Sequence, residues 1–218
     1  MTERAGTGRR GLFITFEGTE GSGKTTQMCL LVERLRGAGY TVAENQEPGA
    51  TRIGGQIRRI LLDPAHREMT PMAELLLMFA SRAQAAAEIV VPALERGEIV
   101  VSDRFTDSTL AYQGEARGLG FETVMAAHRL ALGGLLPDLT LCIAVDIETG
   151  LRRASENRME QQPLEFHRRV AAGYRKIAAA APERFRMVDG SGAPEEVAER
   201  VWAEATRLCG GAGAENRS

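Results

Sequence analysis

The chain reads as an α/β protein in three layers, α/β/α, with helices on both faces of a five-stranded parallel sheet. Three observations predict this. Short apolar runs of strand length recur along the 218 residues, amphipathic stretches of helical period lie between them, and no internal repeat or low-complexity linker interrupts the alternation. Strands joined through helices in this way pair in parallel with right-handed crossovers, which puts helices on both faces. The length suits one domain, expected over residues 11–208.

Each element has its own signal. Residues 1–10 are polar and basic and are expected to be a flexible leader. The first strand, 12–17, is apolar and bounded by Gly11 and Gly18. A helix over 24–36 stops at Gly37 and Gly39, and 40–43 is a short second strand. Helical patterns cover 53–62 and 71–96, followed by an apolar strand over 99–101 that ends at Asp103. Residues 121–132 form another apolar helical segment. Further strands are expected at 139–145 and 185–188, and helices at 149–155, 164–181 and 194–208. The Gly-rich residues 209–218 are expected to be a flexible tail.

Composition narrows the function classes. A net charge of -2 gives no electrostatic ground for a nucleic-acid partner, and no unbroken apolar run approaches the roughly 18 residues of a membrane span. Cys29, Cys142 and Cys209 contain no C-x-x-C pair, which argues against a disulfide framework and a zinc site. The start lacks a secretory apolar region, so the expected location is the cytoplasm. Of 27 basic residues 25 are Arg; Lys24 and Lys176 are the two lysines.

Directly after the first strand stands Gly18-Thr19-Glu20-Gly21-Ser22-Gly23-Lys24-Thr25, then Thr26. It fits G-x-x-x-x-G-K-[ST] in the strand-loop-helix setting that a phosphate-binding loop requires. Glycines let successive N–H groups converge as an anion nest at a helix N-terminus. Lys24 is placed to reach the β- and γ-phosphates of ATP, and the Thr25 hydroxyl to ligate Mg²⁺. Asp103, at the end of a neighbouring strand, is the expected second Mg²⁺ anchor, and Arg104 beside it can address phosphate. With two lysines and neither in an Asn/Thr-Lys-x-Asp setting, a guanine box is absent, and 218 residues leave little room for a motor or transport ATPase. A small kinase fits better. A nucleoside monophosphate acceptor brings an oxygen already nucleophilic at neutral pH, so arginines that position it matter more than a general base.

The residues then resemble the thymidylate kinase family. The supporting segments are 16–26, Glu47-Pro48-Gly49, Ser81-Arg82-Ala83-Gln84, Asp103-Arg104-Phe105 with Ser108, Ala111-Tyr112-Gln113-Gly114, and 137–141, and the similarity spans about 11–207. It implies a P-loop kinase fold with a helical lid at about 152–164, ATP as phosphoryl donor, Mg²⁺, dTMP as acceptor and a homodimer, with residues 71–96 and 121–132 as candidate faces. It further implies that Glu20 lies near the acceptor ribose and phosphate, and that Arg58 and Arg104 bind the acceptor phosphate. Arg82 addresses the base, Thr109, Tyr112 and Gln113 line the nucleoside pocket, and Arg153 stacks on adenine. Gly21 stands where some members carry an Arg; members without it use a lid arginine, here Arg158, in catalysis.

Three positions depart from the family pattern: Gln46 replaces an arginine, Asn157 an aspartate, and Met78 the phenylalanine that stacks on thymine. Phe79 lies roughly 100° around the helix from Met78, which covers a base face through its polarizable sulfur. Two further readings stay open at this stage: a kinase for another nucleotide or small phosphorylated acceptor, and an ATP-binding homologue without transfer activity. The stripe Leu75, Leu76, Met78 and Phe79 reads as helix packing rather than a base platform, and Glu17 as a strand-end residue with no chemical role.

Overall fold

The computed structural model describes residues 10–153 and 157–214. Residues 1–9 of the expected leader, 154–156 of the expected lid and 215–218 of the expected tail lie outside the described residues. In chain order the elements are β1 Phe13–Glu17, α1 Lys24–Gly37, β2 Val42–Gln46, α2 Arg52–Leu62, α3 Pro71–Ala85, a π-helical turn Ala86–Val90, α4 Val91–Glu95 and β3 Ile99–Asp103. There follow α5 Thr106–Thr109, a π-helical segment Leu110–Ala116, α6 Phe121–Leu132, β4 Leu139–Ala144, α7 Ile147–Leu151, α8 Leu164–Ala180, β5 Phe185–Asp189 and α9 Pro194–Ala214.

All five strands are parallel, in the order β2-β3-β1-β4-β5. β1 and β3 run in register from Phe13 opposite Val100 to Phe16 opposite Asp103, so the loop after β1 emerges beside Asp103 and Arg104. Both strands are buried throughout, as expected of central strands covered on two faces. One face packs Ile14, Phe16, Val101 and Leu141 against Leu31 and Leu35 of α1 and Val197 and Val201 of α9. On the other, Phe13, Val100 and Phe105 meet Val90 and Leu94, while Tyr112, Val124, Phe166, Val170, Tyr174 and Phe185 form a further cluster under α8.

The strands differ from the sequence expectation most at β2, which lies at Val42–Gln46 rather than 40–43. Its polar residues Glu44, Asn45 and Gln46 pair with Val101, Ser102 and Asp103. Backbone pairing at a sheet edge, which hydropathy does not register, decides that boundary. The helical stretch from Pro71 to Glu95 is long and apolar enough to cross a membrane by length and composition. It nevertheless carries Glu74 and Arg82, both buried and hydrogen-bonded inside the protein. α7 starts at Ile147 because Asp146 caps it, its carboxylate accepting from Thr149 N.

No element was anticipated over residues 106–116. Its π-helical part is closed by the Arg117 N–H donating to the Tyr112 carbonyl at 2.9 Å, and such widened turns recur at functional sites. α8 lies close against it. A Cβ on Gly173 would sit 2.9 Å from the Ala111 Cα, so this approach needs glycine.

Candidate active site

The carboxyl edge of the sheet opens into a cavity of about 610 Å³. Its walls run from the phosphate loop, through Asp103 and Arg104, to Met78, Arg82 and Gln113.

At the loop end, Gly23 caps α1 with φ 89°, a left-handed conformation that turns the following N–H groups into the cavity. Lys24 Nζ donates to the carbonyls of Thr19 at 2.8 Å and Gly18 at 3.2 Å and to Ser22 Oγ at 3.3 Å. Burial, reinforced by the Arg104 charge, lowers its pKa to about 8, so it remains largely protonated at neutral pH. Thr25 Oγ1 donates to Asp103 Oδ2 at 3.0 Å. This hydroxyl–carboxylate pair supplies hard oxygen donors at the cavity wall and suits Mg²⁺. Gly21 has φ 62°, and a Cβ there would lie 1.9 Å from the Gly150 carbonyl oxygen. This loop therefore has no room for a side chain at that position.

Arg104 stands at the centre. Among the described residues it is the one non-glycine with positive φ, 69°, a conformation that costs on the order of 1–3 kcal/mol and persists only when its surroundings over-determine it. The surroundings do so. Its N–H donates to the Phe16 carbonyl at 2.9 Å, and Nη2 donates to both Glu20 oxygens at 3.0 and 3.1 Å. Nη1 donates to Gly18 O at 3.2 Å, Ser108 Oγ at 2.9 Å and Tyr174 Oη at 3.3 Å. Tyr112 Oη donates to Glu20 at 2.7 Å. Burial alone would raise the Glu20 carboxyl; the charges of Arg104, Lys24 and His167 and the Tyr112 hydrogen bond together outweigh it and hold the group below its ordinary value.

Beneath Arg104 lies Glu17, which is not the idle strand-end residue expected. Wholly buried, it accepts from the Phe105 N–H at 2.8 Å, from Tyr174 Oη at 3.0 Å and from Ser108 Oγ. Burial first, with the Asp107 charge adding to it, pushes its pKa up to about 7. Ser108 and Tyr174 both bridge Glu17 to Arg104, so this carboxyl group helps to position the guanidinium. A strand-end acid next to a loop carries no sequence signal of this kind, because its partners come from residues 105–108 and 174.

At the far end Arg82 is buried and forms an ion pair with Glu47, donates from Nη1 to Thr109 Oγ1 at 2.9 Å and from Nη2 to the Phe105 carbonyl at 3.1 Å. Asn45 Nδ2 bridges Ser102 Oγ at 2.9 Å and Glu47 at 3.4 Å. Arg58 lines the cavity and donates to the Pro48 carbonyl at 2.6 Å. Met78 faces the cavity, whereas Phe79 is buried under the Arg82 guanidinium, 5.1 Å from ring centroid to Cζ. The π-helical segment presents Tyr112 and Gln113 to the same space.

The structure thus gathers Glu20, Gly21, Ser22, Gly23, Lys24, Thr25, Thr26, Arg58, Met78, Arg82, Asp103, Arg104, Thr109, Tyr112, Gln113 and Arg153 around one cavity. It does not bring Arg158 there. That guanidinium is buried, donating from Nη2 to Glu74 at 2.6 Å and from Nε to the Leu61 carbonyl at 2.7 Å, because the buried Glu74 carboxylate offers it a nearer partner than the phosphate loop. Gly18 and Thr19 frame the loop from the side facing β4 and α8. Sequence reasoning assigned no role to Glu47, Glu74, Arg117 or Glu160. Only Glu47 had a visible signal, its place in Glu47-Pro48-Gly49; Glu160 lines the cavity with Oε2 buried and unpartnered among the described residues.

Comparison with known proteins gives the family. A family profile described as thymidylate kinase matches residues 16–201. A thymidylate kinase of Pelobacter propionicus is 49% identical over 204 residues, covering 89% of this chain and 93% of its own. One from Synechococcus sp. is 51% identical over 195 residues, covering 88% and 93%. The crystal structure of thymidylate kinase from Ehrlichia chaffeensis superposes with a TM-score of 0.76 at 31% identity, over 90% of this chain and 99% of that one. With the profile spanning most of the sequence and relatives near half identity covering nearly all of it, the chain belongs to the thymidylate kinase family.

Proposed function

We propose that the protein transfers the γ-phosphoryl group of ATP to dTMP, giving dTDP and ADP. The observation that carries this is one continuous cavity with the phosphate loop at one end, Arg104 clamped by Glu20 in the middle and the Arg82–Gln113 pair at the other. An oxygen of the dTMP phosphate forms a bond to the γ-phosphorus of ATP as the bond from that phosphorus to the β-bridging oxygen breaks, and ADP leaves. A monophosphate dianion needs no general base at neutral pH; it needs alignment and charge neutralisation. Arg104 and Arg58 hold the acceptor phosphate, while Lys24 and the loop N–H groups neutralise charge on the donor. Thr25 and Asp103 would hold Mg²⁺, which would supply positive charge against the donor phosphates. Tyr112, fixed by Glu20, borders the sugar, and Arg153 lies where it can cover adenine. Arg158 serves by docking the lid onto Glu74 rather than by touching the phosphates.

The same reading places the enzyme in the cytoplasm as a homodimer. Exposed Met72, Leu76 and Val91 on the 71–96 segment and Leu130 on α6 support the dimer. Sedimentation equilibrium giving twice the 23.6 kDa chain mass is the expected result. A panel of nucleoside monophosphates in a coupled ADP-release assay tests the activity. The highest kcat/KM is expected for dTMP; a better acceptor, or ATP binding with no transfer, would overturn the assignment.

A further inference from the structure

Glu74, Met78 and Arg82 are spaced four residues apart on α3 and share a face; Met78 and Arg82 line the cavity, whereas Glu74 stands behind it, fully buried. Its carboxylate is shared by three side chains from elsewhere in the chain. Gln113 Nε2 donates to Oε1 at 2.8 Å, Arg117 donates to both oxygens at 3.2 Å, and Arg158 Nη2 donates to Oε2 at 2.6 Å. Burial alone would raise the pKa of this carboxyl, but the hydrogen bonds from Gln113, Arg117 and Arg158 and the Arg117 charge hold it below its ordinary value.

An ionised carboxylate accepts and cannot donate, so the end of the Gln113 amide that faces Glu74 must be its NH₂. The amide oxygen is thereby turned the other way, and among the described residues it accepts no hydrogen bond. Across the cavity, the Arg82 guanidinium can only donate. A base edge that meets one donor and one acceptor here is a ring carbonyl beside a ring N–H, the imide edge of a pyrimidine. Cytosine presents the reverse, a ring lone pair beside an amine.

We propose that Glu74 is the residue that determines base selectivity from behind the pocket, pinning the Gln113 amide so that its oxygen faces the base and the site takes imide pyrimidine monophosphates while rejecting cytosine. This rests on the dTMP reading above and adds how the discrimination is built. The same carboxylate docks lid residue Arg158, so base recognition and lid position share one anchor.

The test is the ratio of kcat/KM for dTMP to that for dCMP, in the intact enzyme and in Glu74→Gln. Glutamine offers both a donor and an acceptor, which frees the Gln113 amide to turn over. The ratio is expected to fall at least tenfold, since removing one well-placed discriminating hydrogen bond is worth about that much or more. A purely structural role would lower both rates together; a ratio unchanged within twofold overturns the proposal. Should Glu74→Gln fail to fold, calorimetric binding of N3-methylated dTMP to the intact enzyme decides: at least tenfold weaker binding than dTMP supports an acceptor facing N3, and equal affinity overturns it. An intact enzyme with no preference for dTMP overturns both the activity and this inference, whereas a clear preference with an unchanged Glu74→Gln ratio overturns the inference alone.

Discussion

The two ends of the cavity are built differently. At the phosphate end, residues 18–26 are contiguous, and their partners Asp103 and Arg104 lie on the strand in register with β1. At the base end the working groups come from α3, the π-helical segment, the loop after β2 and the lid, and are joined by buried ion pairs of Glu47 and Glu74. Spacing along the chain specifies the first arrangement, since a glycine-rich turn between a strand and a helix makes an anion nest wherever it occurs. Only tertiary packing specifies the second. The loop should therefore respond to substitution like a self-contained device, and the base end like a network in which changes far from substrate matter.

The largest effect is expected at the loop. Lys24→Met removes a buried ammonium that no neighbour replaces, since the loop contacts of Lys24 are carbonyls and a hydroxyl. Single charge-stabilising groups of this kind contribute 10²- to 10³-fold, so kcat in the ADP-release assay should fall by about 10³ while thermal unfolding stays cooperative. A loss under tenfold would mean that the loop backbone carries the charge unaided, and the contrast between the ends would weaken.

Glu17 joins the two regions, and its effect is on stability. Its folded pKa of about 7 lies above the 4.5 of an ordinary glutamate, so the folded state binds the extra proton between those values. Stability from this group is therefore full below about pH 4.5 and declines as pH rises through about 7. Glu17→Gln, which cannot ionise, escapes the decline. The stability difference between variant and parent should shift in the variant's favour by about 3 kcal/mol across that window and stay level above it, read from urea midpoints at successive pH values. A difference independent of pH would show that Glu17 titrates normally in the fold.

How much could be read in advance follows the same division. The parallel strands and the loop were legible because buried parallel strands read as apolar runs and the phosphate loop is local. Arg82, Met78, Tyr112 and Gln113 were recognisable only through family resemblance. Glu17, Glu74 and Arg117 were not, because a carboxylate's role depends on which donors the fold brings to it. Asn45 and Gln46 fell beyond the second strand expected over 40–43 although they belong to β2, whose extent rests on pairing with β3. The π-helical segment left no trace in hydrophobic period, since it needs the close approach of α8 at Gly173.

Arg158 gives the next largest effect and separates lid docking from catalysis. With its guanidinium buried against Glu74 and Leu61, Arg158→Ala should loosen the lid yet leave the phosphate clamp of Lys24 and Arg104 in place. A fall in kcat of tenfold or less, together with faster proteolysis within residues 152–164, is the expected result. A loss near 10³ would put Arg158 on the phosphates during turnover and give the base end a direct part in the chemistry.

The smallest effect concerns Met78, which faces the cavity while Phe79 packs beneath Arg82. A methionine covers a base with a flexible, polarizable chain, whereas a phenylalanine offers a fixed plane. Aromatic stacking beyond simple burial is worth about 0.5–1.5 kcal/mol, so Met78→Phe should lower KM for dTMP by about two- to tenfold and leave kcat unchanged. Because Met78 touches neither Glu74 nor Gln113 by any hydrogen bond, the preference for dTMP over dCMP should not move with it. If that preference rises together with affinity, selectivity lies in the packing over the base rather than in the hydrogen-bonded edge, and the base end is simpler than its network of buried carboxylates implies.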